Sequence, residues 1–564
     1  MNANRSYRSG WQAVVEGLHQ LGVQTLFGLP SDDLHLLAAL EERDMRMVLS
    51  RDQRNAMFMA IGHALAGGTT AVCVVGKGPA VTNTVTGLLE ANAARVPVVL
   101  LATGTAAERR GTGAFQELDQ LSIVRPLVKW CHRVDTPQRL GAALERAFFV
   151  AANGAPGPVY LELPEEIGGG PVPEREWRRA PAHRPAPDPD AYAAALAAVR
   201  RADRPMLLIG GGARHRNTDR IIERLAERLG APMITTASGR GVVDEDHPHF
   251  CGLAGLYAHP ATTDLWARTD LVVALGSRLE ETATFGWEHR CPAPPVVQIN
   301  VAEADVVHDR PGPIVLADVR RTVSALLEGL GPAGPGTPHV AGPASVRGAA
   351  LAQHTDRLTE AAAGPHLRIV EILAAVQDLA PDRILVQENG LQDMWSYFWP
   401  AYTGGTFVAP SEQTSLGFGA AAAVGVSLAV PARTTVALVG DGAFNLFRSD
   451  LATAVEAGAG VLYVVLDNGG YGWLQQQLTQ HSGGRSRFRF TRPRPVAGST
   501  AGADGPAGEW TVRVADRDAL RPALRQGLRW CRRGRPAVVV VDVRLDDVAP
   551  GLDELAGDFP AVQG

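Results

Sequence analysis

The stretch that decides the fold is VALVGDGAFNLFRSDLATAVEAGAGVLYVVLDNGGYGW, residues 436–473. An apolar run at 435–440 ends at a Gly-Asp-Gly turn, and a second apolar run at 461–466 ends at Asp467-Asn468. Between them, apolar side chains recur at helical spacing: Phe444, Phe447, Leu451, Ala454 and Val455. This pattern predicts a strand, a helix that begins after the Gly-Asp-Gly turn, and a neighbouring parallel strand.

Polar groups follow both predicted strands at the point where each strand ends. Asp441 follows the first strand and Asn468 the second, so both lie at the carboxyl edge, where open α/β sheets bind ligands. Together with a carbonyl from the Gly469-Gly470 turn, they supply the oxygen ligands that Mg²⁺ takes beside a phosphate. The helix N-terminus would face the same phosphate. Taken alone, Gly-Asp-Gly is a common turn and Asn-Gly a hairpin signal, but the whole unit favours a metal-bound phosphate.

The same alternation of apolar runs and helical patterns extends through the whole chain. A helical pattern runs from Val81 to Arg95, between two apolar runs. Two segments rich in proline and glycine, 168–190 and 329–348, divide the chain into three blocks and are predicted to be linkers. We therefore predict an α/β fold of three tandem doubly wound parallel-sheet domains. The expected domain boundaries are 1–168, 191–330 and 350–550.

The composition is that of an ordinary folded globular protein. Of the 564 residues, 46% are hydrophobic and 20% are charged, and the net charge of −5 gives no reason to expect nucleic acid or an anionic membrane as a partner. The five cysteines are scattered without CxxC spacing, which argues against a disulfide framework or a zinc site. No apolar run reaches membrane-spanning length, and the N-terminus lacks a signal-peptide core, so we expect a cytoplasmic protein with no membrane partner.

The spacing of the two polar turns resembles the cofactor signature of thiamine-diphosphate-dependent decarboxylases and synthases. Gly-Asp-Gly, 24 residues and then DNGGYG match that signature, in which the second element is usually Asn-Asn, so Asp467 departs from it. The resemblance implies thiamine diphosphate held through Mg²⁺ by Asp441, Asn468 and the backbone carbonyl of Gly470. Leu416 matches the bulky apolar residue that bends the cofactor. Further cofactor contacts are implied around the two turns: Gly440, Gly442, Ala443, Phe444 and Tyr471.

The N-terminal block resembles the domain that grips the aminopyrimidine ring in the same family. FGLPSDD (27–33) and GPAVTNTVTGLLEANAARVPVVLLATG (78–104) match its two active-site loops. GTGAFQELDQLSIVRPLVKW (111–130) is especially similar to acetohydroxyacid (acetolactate) synthases. In those enzymes the Phe-Gln pair, here Phe115 and Gln116, lies near the reacting carbon. Without this resemblance, Gln116 would be interpreted as an ordinary surface amide before a helix.

A carboxyl group is also expected at the start of SRDQRNAMFMAIGHALAGG (50–68). The family normally places a glutamate there, whose carboxyl group hydrogen-bonds the pyrimidine ring and promotes loss of the C2 proton. The matching residue here is Asp52. Aspartate is shorter by roughly 1.3–1.5 Å, and a displacement of that size could slow catalysis by about two orders of magnitude. The alternative is that Asp52 is the N-cap of the following helix, a position that aspartate favours.

Two further regions bear on cofactors and substrates. The central block resembles a domain that holds a structural FAD in acetohydroxyacid synthases and has no flavin in other members. Arg278 matches an arginine of that site, so FAD is compatible with the sequence but not predicted by it. The segment 481–509 departs from the family and is expected to be a loop over the site or disordered. Trp473, Gln475 and His481 follow the cofactor turn and could face the substrate, although Trp473 and Gln475 could equally pack in a dimer.

The resemblance implies a carboligase, similar to acetolactate synthase. Such an enzyme decarboxylates a 2-oxo acid such as pyruvate and transfers the resulting enamine to a second carbonyl compound. A simple 2-oxo acid decarboxylase is the first alternative, although the paired histidines of one decarboxylase branch are not visible. A catalytically weak cofactor-binding paralogue is the second, and only Asp52 supports it. The family usually builds its site from two subunits, so we expect a homodimer or homotetramer with active sites at the interface.

Overall fold

The computed structural model shows three sheets in succession along the chain. The described residues are 6–29, 34–179, 181–258, 260–285, 287, 294–332, 343–390, 394–395, 407–482, 503–504, 508–547 and 549. Parts of four sequence features discussed above lie outside them: residues 30–33 of the first loop, residue 180 of the first predicted linker, residues 333–342 of the second predicted linker, and residues 483–502 and 505–507 of the segment 481–509.

The N-terminal domain is built on a parallel sheet with an apolar layer on each face. Its strands are β1 (Ser6–Tyr7), β2 (Thr25–Leu29), β3 (Arg46–Leu49), β4 (Ala71–Val75), β5 (Val98–Gly104), β6 (Trp130–Arg133), β7 (Val159–Pro164) and β8 (Val172–Pro173). Its helices are α1 (Gly10–Gln20), α2 (Leu34–Arg43), α3 (Gln53–Gly67), α4 (Pro79–Thr82), α5 (Val85–Ala93), α6 (Gln120–Val124), α7 (Leu140–Ala152) and α8 (Glu165–Gly169). The sheet order is β3-β2-β4-β5-β7-β6, while β1 and β8 form a separate antiparallel pair.

The central domain has a second parallel sheet, again with apolar residues on both faces. Its strands are β9 (Pro205–Ile209), β10 (Met233–Thr235), β11 (Phe250–Leu253), β12 (Leu271–Leu275), β13 (Val296–Asn300) and β14 (Ile314–Leu316). Its helices are α9 (Pro189–Arg201), α10 (Ile221–Leu229), α11 (Pro260–Arg268), α12 (Glu281–Thr284) and α13 (Val319–Leu330). The sheet order is β11-β10-β9-β12-β13-β14, so the chain reverses its direction across the sheet between β9 and β12.

The C-terminal domain carries the stretch from which the fold was predicted. Its strands are β15 (Ile384–Gln387), β16 (Phe407–Val408), β17 (Thr435–Gly440), β18 (Val461–Asp467), β19 (Ala503–Asp504), β20 (Trp510–Val514) and β21 (Ala537–Asp542). Its helices are α14 (Pro343–Ala363), α15 (Ile369–Leu379), α16 (Phe418–Ala429), α17 (Asp441–Phe447), α18 (Leu451–Glu456), α19 (Gly472–Ser482) and α20 (Arg517–Cys531). The order is β16-β15-β17-β18-β21-β20-β19, and β19 is an antiparallel edge strand. The switch point between β15 and β17 opens beside the Gly-Asp-Gly turn.

The three sheets confirm the predicted fold class, whereas some local predictions were wrong. The helix predicted from Val81 to Arg95 is divided into α4 and α5, and the helix after β17 begins at Asp441. The first predicted linker contains β8, which pairs with β1. The second is shortened because α14 begins at Pro343, and proline is favoured in the first turn of a helix. None of the described helices is long and apolar enough to cross a membrane.

The N-terminal and C-terminal domains share one apolar core, centred on the contact between α3 and α16. The rings of Phe58 and Phe418 meet edge to face with their centroids 5.5 Å apart. Two glycines let the helix backbones approach closely. A Cβ on Gly62 would come within 2.1 Å of the Ala422 carbonyl oxygen, and one on Gly425 within 1.8 Å of the Met59 carbonyl oxygen. This contact fixes the first turn of α3 relative to the C-terminal domain.

We predict that Gly425→Ala destabilises the protein by about 1–3 kcal/mol, because the added methyl group overpacks the contact against helix backbone. Gly67→Ala is the matched control. A Cβ there has its nearest neighbour at 3.5 Å, an ordinary van der Waals contact, so this variant should be neutral or slightly stabilising. Thermal unfolding of both variants checks the prediction. Equal midpoints for the two variants would contradict the close approach of α3 and α16.

Candidate active site

Strands β17 and β18 place the two predicted metal-binding turns side by side. They pair in parallel up to their last residues, where Gly440 lies opposite Leu466, so the residues that follow leave the sheet together. Oδ2 of Asp441 accepts a hydrogen bond from the Gly469 backbone N–H at 3.1 Å. The Asp441 carboxylate therefore lies directly against the turn that carries Asn468, as the sequence predicts.

The Asn468 side chain is oriented by its own turn. Its Oδ1 accepts a hydrogen bond from the Gly470 N–H at 3.0 Å. Gly469 has a φ of +71°, a left-handed conformation that glycine adopts without strain. Oδ1 of Asp441 accepts from the Gly442 N–H, also at 3.0 Å. Since each of these oxygens has a second lone pair, both side chains keep acceptor capacity for a further partner.

Asp467, the departure from the usual Asn-Asn pair, forms an ion pair across the sheet. Its Oδ2 lies 2.7 Å from Nη2 of Arg513 on β20, and Arg513 also pairs with Asp542 at the end of β21. Asp467 is buried, at 2% exposure, and a buried carboxylate needs such a partner. The aspartate at this position is therefore tied to a specific arginine.

The charges at this edge of the sheet suit a bound cation. Burial, with the nearby carboxylate of Asp467 as the next cause, raises the pKa of Asp441 to about 7. A divalent cation would relieve this repulsion, and a carboxylate, an amide oxygen and a carbonyl are the donors that Mg²⁺ accepts. Among the described residues, no group of three or more His, Cys, Asp or Glu side chains is arranged to hold a metal. A cation here would therefore use the amide and carbonyl oxygens beside Asp441.

The turn that carries Leu416 is held by two buried glutamates that the sequence analysis missed. Glu388, at the end of β15, accepts hydrogen bonds from the backbone N–H groups of Gly417 at 3.0 Å and Gly419 at 2.9 Å. Glu90, on α5 of the N-terminal domain, accepts from the N–H of Ser415 at 3.3 Å and from that of Ser411. The signal for Glu388 was available, because it is an acidic residue directly after a strand, β15, just as Asp441 directly follows β17.

Asp52 is the N-cap of α3, which was the alternative interpretation of this residue. Its Oδ1 accepts the backbone N–H groups of Arg54 at 2.8 Å and Asn55 at 3.3 Å, and the side-chain amide of Asn83 lies 3.5 Å away. All three hydrogen bonds go to the same oxygen. The next residue, Gln53, accepts a hydrogen bond from Asn83 at 2.7 Å.

A second contact holds the start of α3 against the C-terminal domain. Asp450, between α17 and α18, accepts hydrogen bonds from the Arg51 backbone N–H at 2.6 Å and the Asn55 amide at 2.8 Å. Asp450 is completely buried. The cap residue Asp52 therefore lies beside the helical segment that begins at Asp441. The sequence analysis missed Asp450 because its partners lie about 400 residues earlier in the chain.

Gln116 packs against the loop that follows β4, while its position near the reacting carbon stays a prediction. Gly78 has a φ of +59°, and a Cβ there would come within 2.7 Å of the Gln116 carbonyl oxygen. Gln116 itself has a φ of +56°, which is uncommon for a residue other than glycine. The Gly78 N–H donates to Oε1 of buried Gln120 at 2.6 Å, and Nε2 of Gln120 donates to Tyr160 and Glu162. This buried network fixes the loop that carries Gln116.

The other predicted site residues differ in exposure. Phe115 is 70% exposed and Tyr471 is 41% exposed, so a large part of each side chain faces solvent. Phe444 is only 2% exposed, because its ring packs against Phe447 and Tyr463. Only the backbone of Phe444 could therefore reach a cofactor. Gly440, Gly442 and Ala443 lie at the β17–α17 turn beside Asp441, and Leu416 is partly buried. The side chain of His481 lies outside the described part of the chain.

Arg278, the residue that made FAD compatible with the sequence, is engaged by protein groups. Its Nη2 donates to the Ala93 carbonyl of the N-terminal domain at 2.7 Å, and it pairs with Glu280. The glycine-rich turn after β9 is closely packed, since a Cβ on Gly210 would come within 2.3 Å of the Gly276 carbonyl oxygen. The contacts of Arg278 thus join two domains.

Comparison with known proteins assigns the chain to a family. Three family models match in order: the N-terminal thiamine pyrophosphate (TPP) binding domain of thiamine pyrophosphate enzymes at residues 8–123, their central domain at 192–326, and their C-terminal TPP binding domain at 389–541. The acetolactate synthase large subunit of Parasynechococcus marenigrum is 30% identical over 561 residues, which cover 95% of this chain and 87% of that protein. The chain belongs to the thiamine pyrophosphate enzyme family. The predicted resemblance is thereby confirmed, as is the prediction of a thiamine-diphosphate-dependent enzyme.

Other relatives of this thiamine pyrophosphate enzyme differ in their named activities. The acetolactate synthase of Arthrospira platensis is 28% identical, over 97% of this chain and 96% of that protein. The probable 2-ketoarginine decarboxylase AruI of Pseudomonas aeruginosa is 31% identical, over 81% of each chain. The relatives that are similar to this chain along most of its length therefore include two enzymes named as synthases and one named as a decarboxylase.

We predict that Glu388→Gln flattens the dependence of stability on pH. Burial raises the pKa of Glu388 to about 7, so the folded enzyme binds more protons than the unfolded chain between the unfolded value of about 4.5 and 7. Stability from this group is complete below pH 4.5 and is lost as the pH rises through 7. Between these two pH values, Glu388 should make the free energy of unfolding fall by up to about 1.4 kcal/mol per pH unit, and the variant should remove this contribution. Denaturant unfolding at several pH values, with wild type as the reference, measures it. The same pH dependence in the variant as in wild type would contradict the conclusion that Glu388 is a buried carboxyl group with a raised pKa.

Proposed function

We propose that this thiamine pyrophosphate enzyme is a carboligase similar to acetolactate synthase. It decarboxylates a 2-oxo acid such as pyruvate and transfers the remaining fragment to a second carbonyl compound. The observation that carries the proposal is the similarity to acetolactate synthases over 95% and more of the chain. The close approach of Gln116 to Gly78 supports it, because the stretch that carries Gln116 resembles the substrate site of these synthases.

The proposed cofactor site is the carboxyl edge of β17 and β18. Asp441, Asn468 and the carbonyl of Gly470 would hold Mg²⁺, which in turn would hold the diphosphate of thiamine diphosphate. The hydrogen bond between Asp441 and the Gly469 N–H supports this assignment, because it brings the carboxylate to the turn that carries Asn468. When bound, the cofactor supplies the electron sink for decarboxylation. Leu416 would support its bent form, on a turn fixed by Glu388.

Asp52 is the proposed acid of the N-terminal domain. All its hydrogen bonds within the described chain go to Oδ1, which leaves Oδ2 for another partner. Its neighbour Gln53 lies closer to Asn83, at 2.7 Å against 3.5 Å for Asp52, but it carries an amide, which cannot exchange a proton as a carboxyl group does. The hydrogen bonds from Arg51 and Asn55 to Asp450 support this placement, since they hold the start of α3 beside the α17–α18 segment.

We also propose a homodimer or homotetramer in which a second subunit completes the site. Apolar side chains are exposed around both halves of the predicted site: Phe115 at 70%, Leu474 at 52%, Tyr471 at 41% and Leu446 at 39%. Exposed apolar surface of this kind is typical of an interface. The same proposal includes a cytoplasmic location and domain boundaries at 1–168, 191–330 and 350–550. The contacts of Arg278 are with protein groups and give no support for FAD.

A simple decarboxylase is the alternative function. One specific observation favours it: the probable 2-ketoarginine decarboxylase AruI is 31% identical over 81% of the chain. The two functions differ in what receives the decarboxylated fragment, which is a proton in a decarboxylase and a carbonyl carbon in a carboligase. Product analysis therefore separates them.

We predict that the enzyme, supplied with Mg²⁺, thiamine diphosphate and pyruvate, releases CO₂ and forms acetolactate. Mass spectrometry of the products, with a second 2-oxo acid as an added acceptor, checks this prediction. Release of CO₂ with an aldehyde as the sole product would support the decarboxylase instead. No CO₂ from pyruvate or from other 2-oxo acids, including those with a guanidinium side chain, would contradict both functions.

The same assay tests the proposed acid with matched variants. Asp52→Asn keeps the size and the helix cap but loses the proton, so its turnover should fall by about 100-fold or more. Asp52→Glu lengthens the side chain, and Gln53→Glu moves a carboxyl group to the next position. A large gain of turnover in Asp52→Glu would support the catalytically weak paralogue. Unchanged turnover in Asp52→Asn together with a gain in Gln53→Glu would overturn the role of Asp52.

A further inference from the structure

A small cavity lies where the three domains meet, away from the proposed active site. Its volume is about 200 Å³. Leu65 near the end of α3 lines one side, Phe407 of β16 a second side, and the segment from Arg214 to Thr218 of the central domain a third. Two lining residues, Arg214 and His215, are basic, and none of the lining residues is acidic.

Arg214 brings a positive charge to this cavity without a carboxylate to balance it. Its Nη1 donates to the Phe407 carbonyl and its Nη2 to the Ser238 carbonyl, each at 3.0 Å. Both acceptors are neutral, and in the described chain Arg214 has no ion-pair partner. A guanidinium group has five N–H donors, so donors remain for a further acceptor. Burial of the guanidinium lowers the pKa of Arg214 to about 10, although the residue as a whole is only partly buried.

The acidic residues nearest in sequence are already paired with other arginines. Asp219 pairs with Arg320 at 2.8 Å, and Asp244 pairs with Arg220 at 3.1 Å. Glu223 lies 3.7 Å from Arg220 and accepts a hydrogen bond from the lining residue Asn217 at 2.7 Å. His215, which also lines the cavity, makes its one described hydrogen bond to the Leu65 carbonyl. The cavity thus has positive charge and unused N–H donors, and no carboxylate of the described chain satisfies them. Arg214 is only partly buried, but a charge that is partly removed from water without a counter-charge is still costly. An anion from solution would therefore stabilise this junction.

We propose that this cavity is a binding site for a small oxyanion, either phosphate or the carboxylate of a small organic acid. The guanidinium of Arg214 would be its main contact, since its planar set of donors suits two oxygens at once. The volume is below the roughly 300–1,000 Å³ of sites for drug-sized ligands, so the site takes a small anion rather than a nucleotide. Because the cavity touches three domains, the bound anion would also raise the stability of the folded enzyme.

Equilibrium dialysis with labelled inorganic phosphate at constant ionic strength tests this site. The full-length enzyme carries saturating Mg²⁺ and thiamine diphosphate, so that the proposed diphosphate site is filled. We expect saturable phosphate binding with a dissociation constant on the order of 1 mM or below. Arg214→Met should weaken it by at least about tenfold. Arg224→Met is the matched control, because Arg224 is exposed on α10 and does not line the cavity, and it should bind phosphate like wild type.

Competition with acetate distinguishes the two sources of the oxyanion. Displacement of phosphate by acetate identifies a carboxylate site, and resistance to acetate identifies a phosphate site. Should Arg214→Met fail to fold, as judged by circular dichroism, Arg214→Lys keeps the charge but loses the planar donors and should also weaken binding. The proposal is overturned if wild type shows no saturable binding of either anion, or if a folded Arg214 variant binds both like wild type. Neither result depends on catalytic turnover, so this experiment tests the oxyanion site independently of the proposed carboligase activity.

Discussion

The candidate active site depends on the parallel pairing of β17 and β18. Because Gly440 lies opposite Leu466 at the end of that pairing, the Gly-Asp-Gly turn and the Asn468 turn emerge from the sheet together. In this register the Gly469 backbone N–H donates a hydrogen bond to Asp441. A shift of one residue would turn every buried side chain of the strand to the other face of the sheet. The apolar packing on both faces of the sheet therefore fixes the register of β17 and β18, and with it the relative position of the two turns at their carboxyl ends.

Buried carboxylates connect this edge to the N-terminal domain. Asp450 accepts hydrogen bonds from the start of α3, Glu90 holds the loop before Leu416, and Glu388 holds the turn after it. Each acidic side chain is fully buried, and each accepts backbone N–H groups, which compensates part of its desolvation cost. Together with the close packing of α3 on α16, these contacts let residues from opposite ends of the chain contribute to one site.

The sequence was sufficient for those features that are set by local pattern. The apolar run at 435–440 predicted β17 at its observed bounds, and the turn chemistry identified Asp441 and Asn468 as neighbours. It was insufficient where contacts between distant parts of the chain decide the outcome. Asp450 meets α3 across about 400 residues, and Asp467 meets Arg513 on another strand, so no local pattern reveals either pair. The cap at Asp52 was foreseen only as an alternative, because the same carboxyl group suits a helix N-terminus and an active site.

Calorimetric titration of thiamine diphosphate into the enzyme, with and without Mg²⁺, tests the central claim most directly. Wild type should bind the cofactor only when the ion is present. Asp441→Asn, which keeps the shape of the side chain but removes its charge, should bind at least about 100-fold more weakly, while Asn445→Ala, an exposed change on the same helix, should bind normally. Uptake that is independent of Mg²⁺, or unchanged affinity in Asp441→Asn, would contradict the convergence of these two turns on one cation.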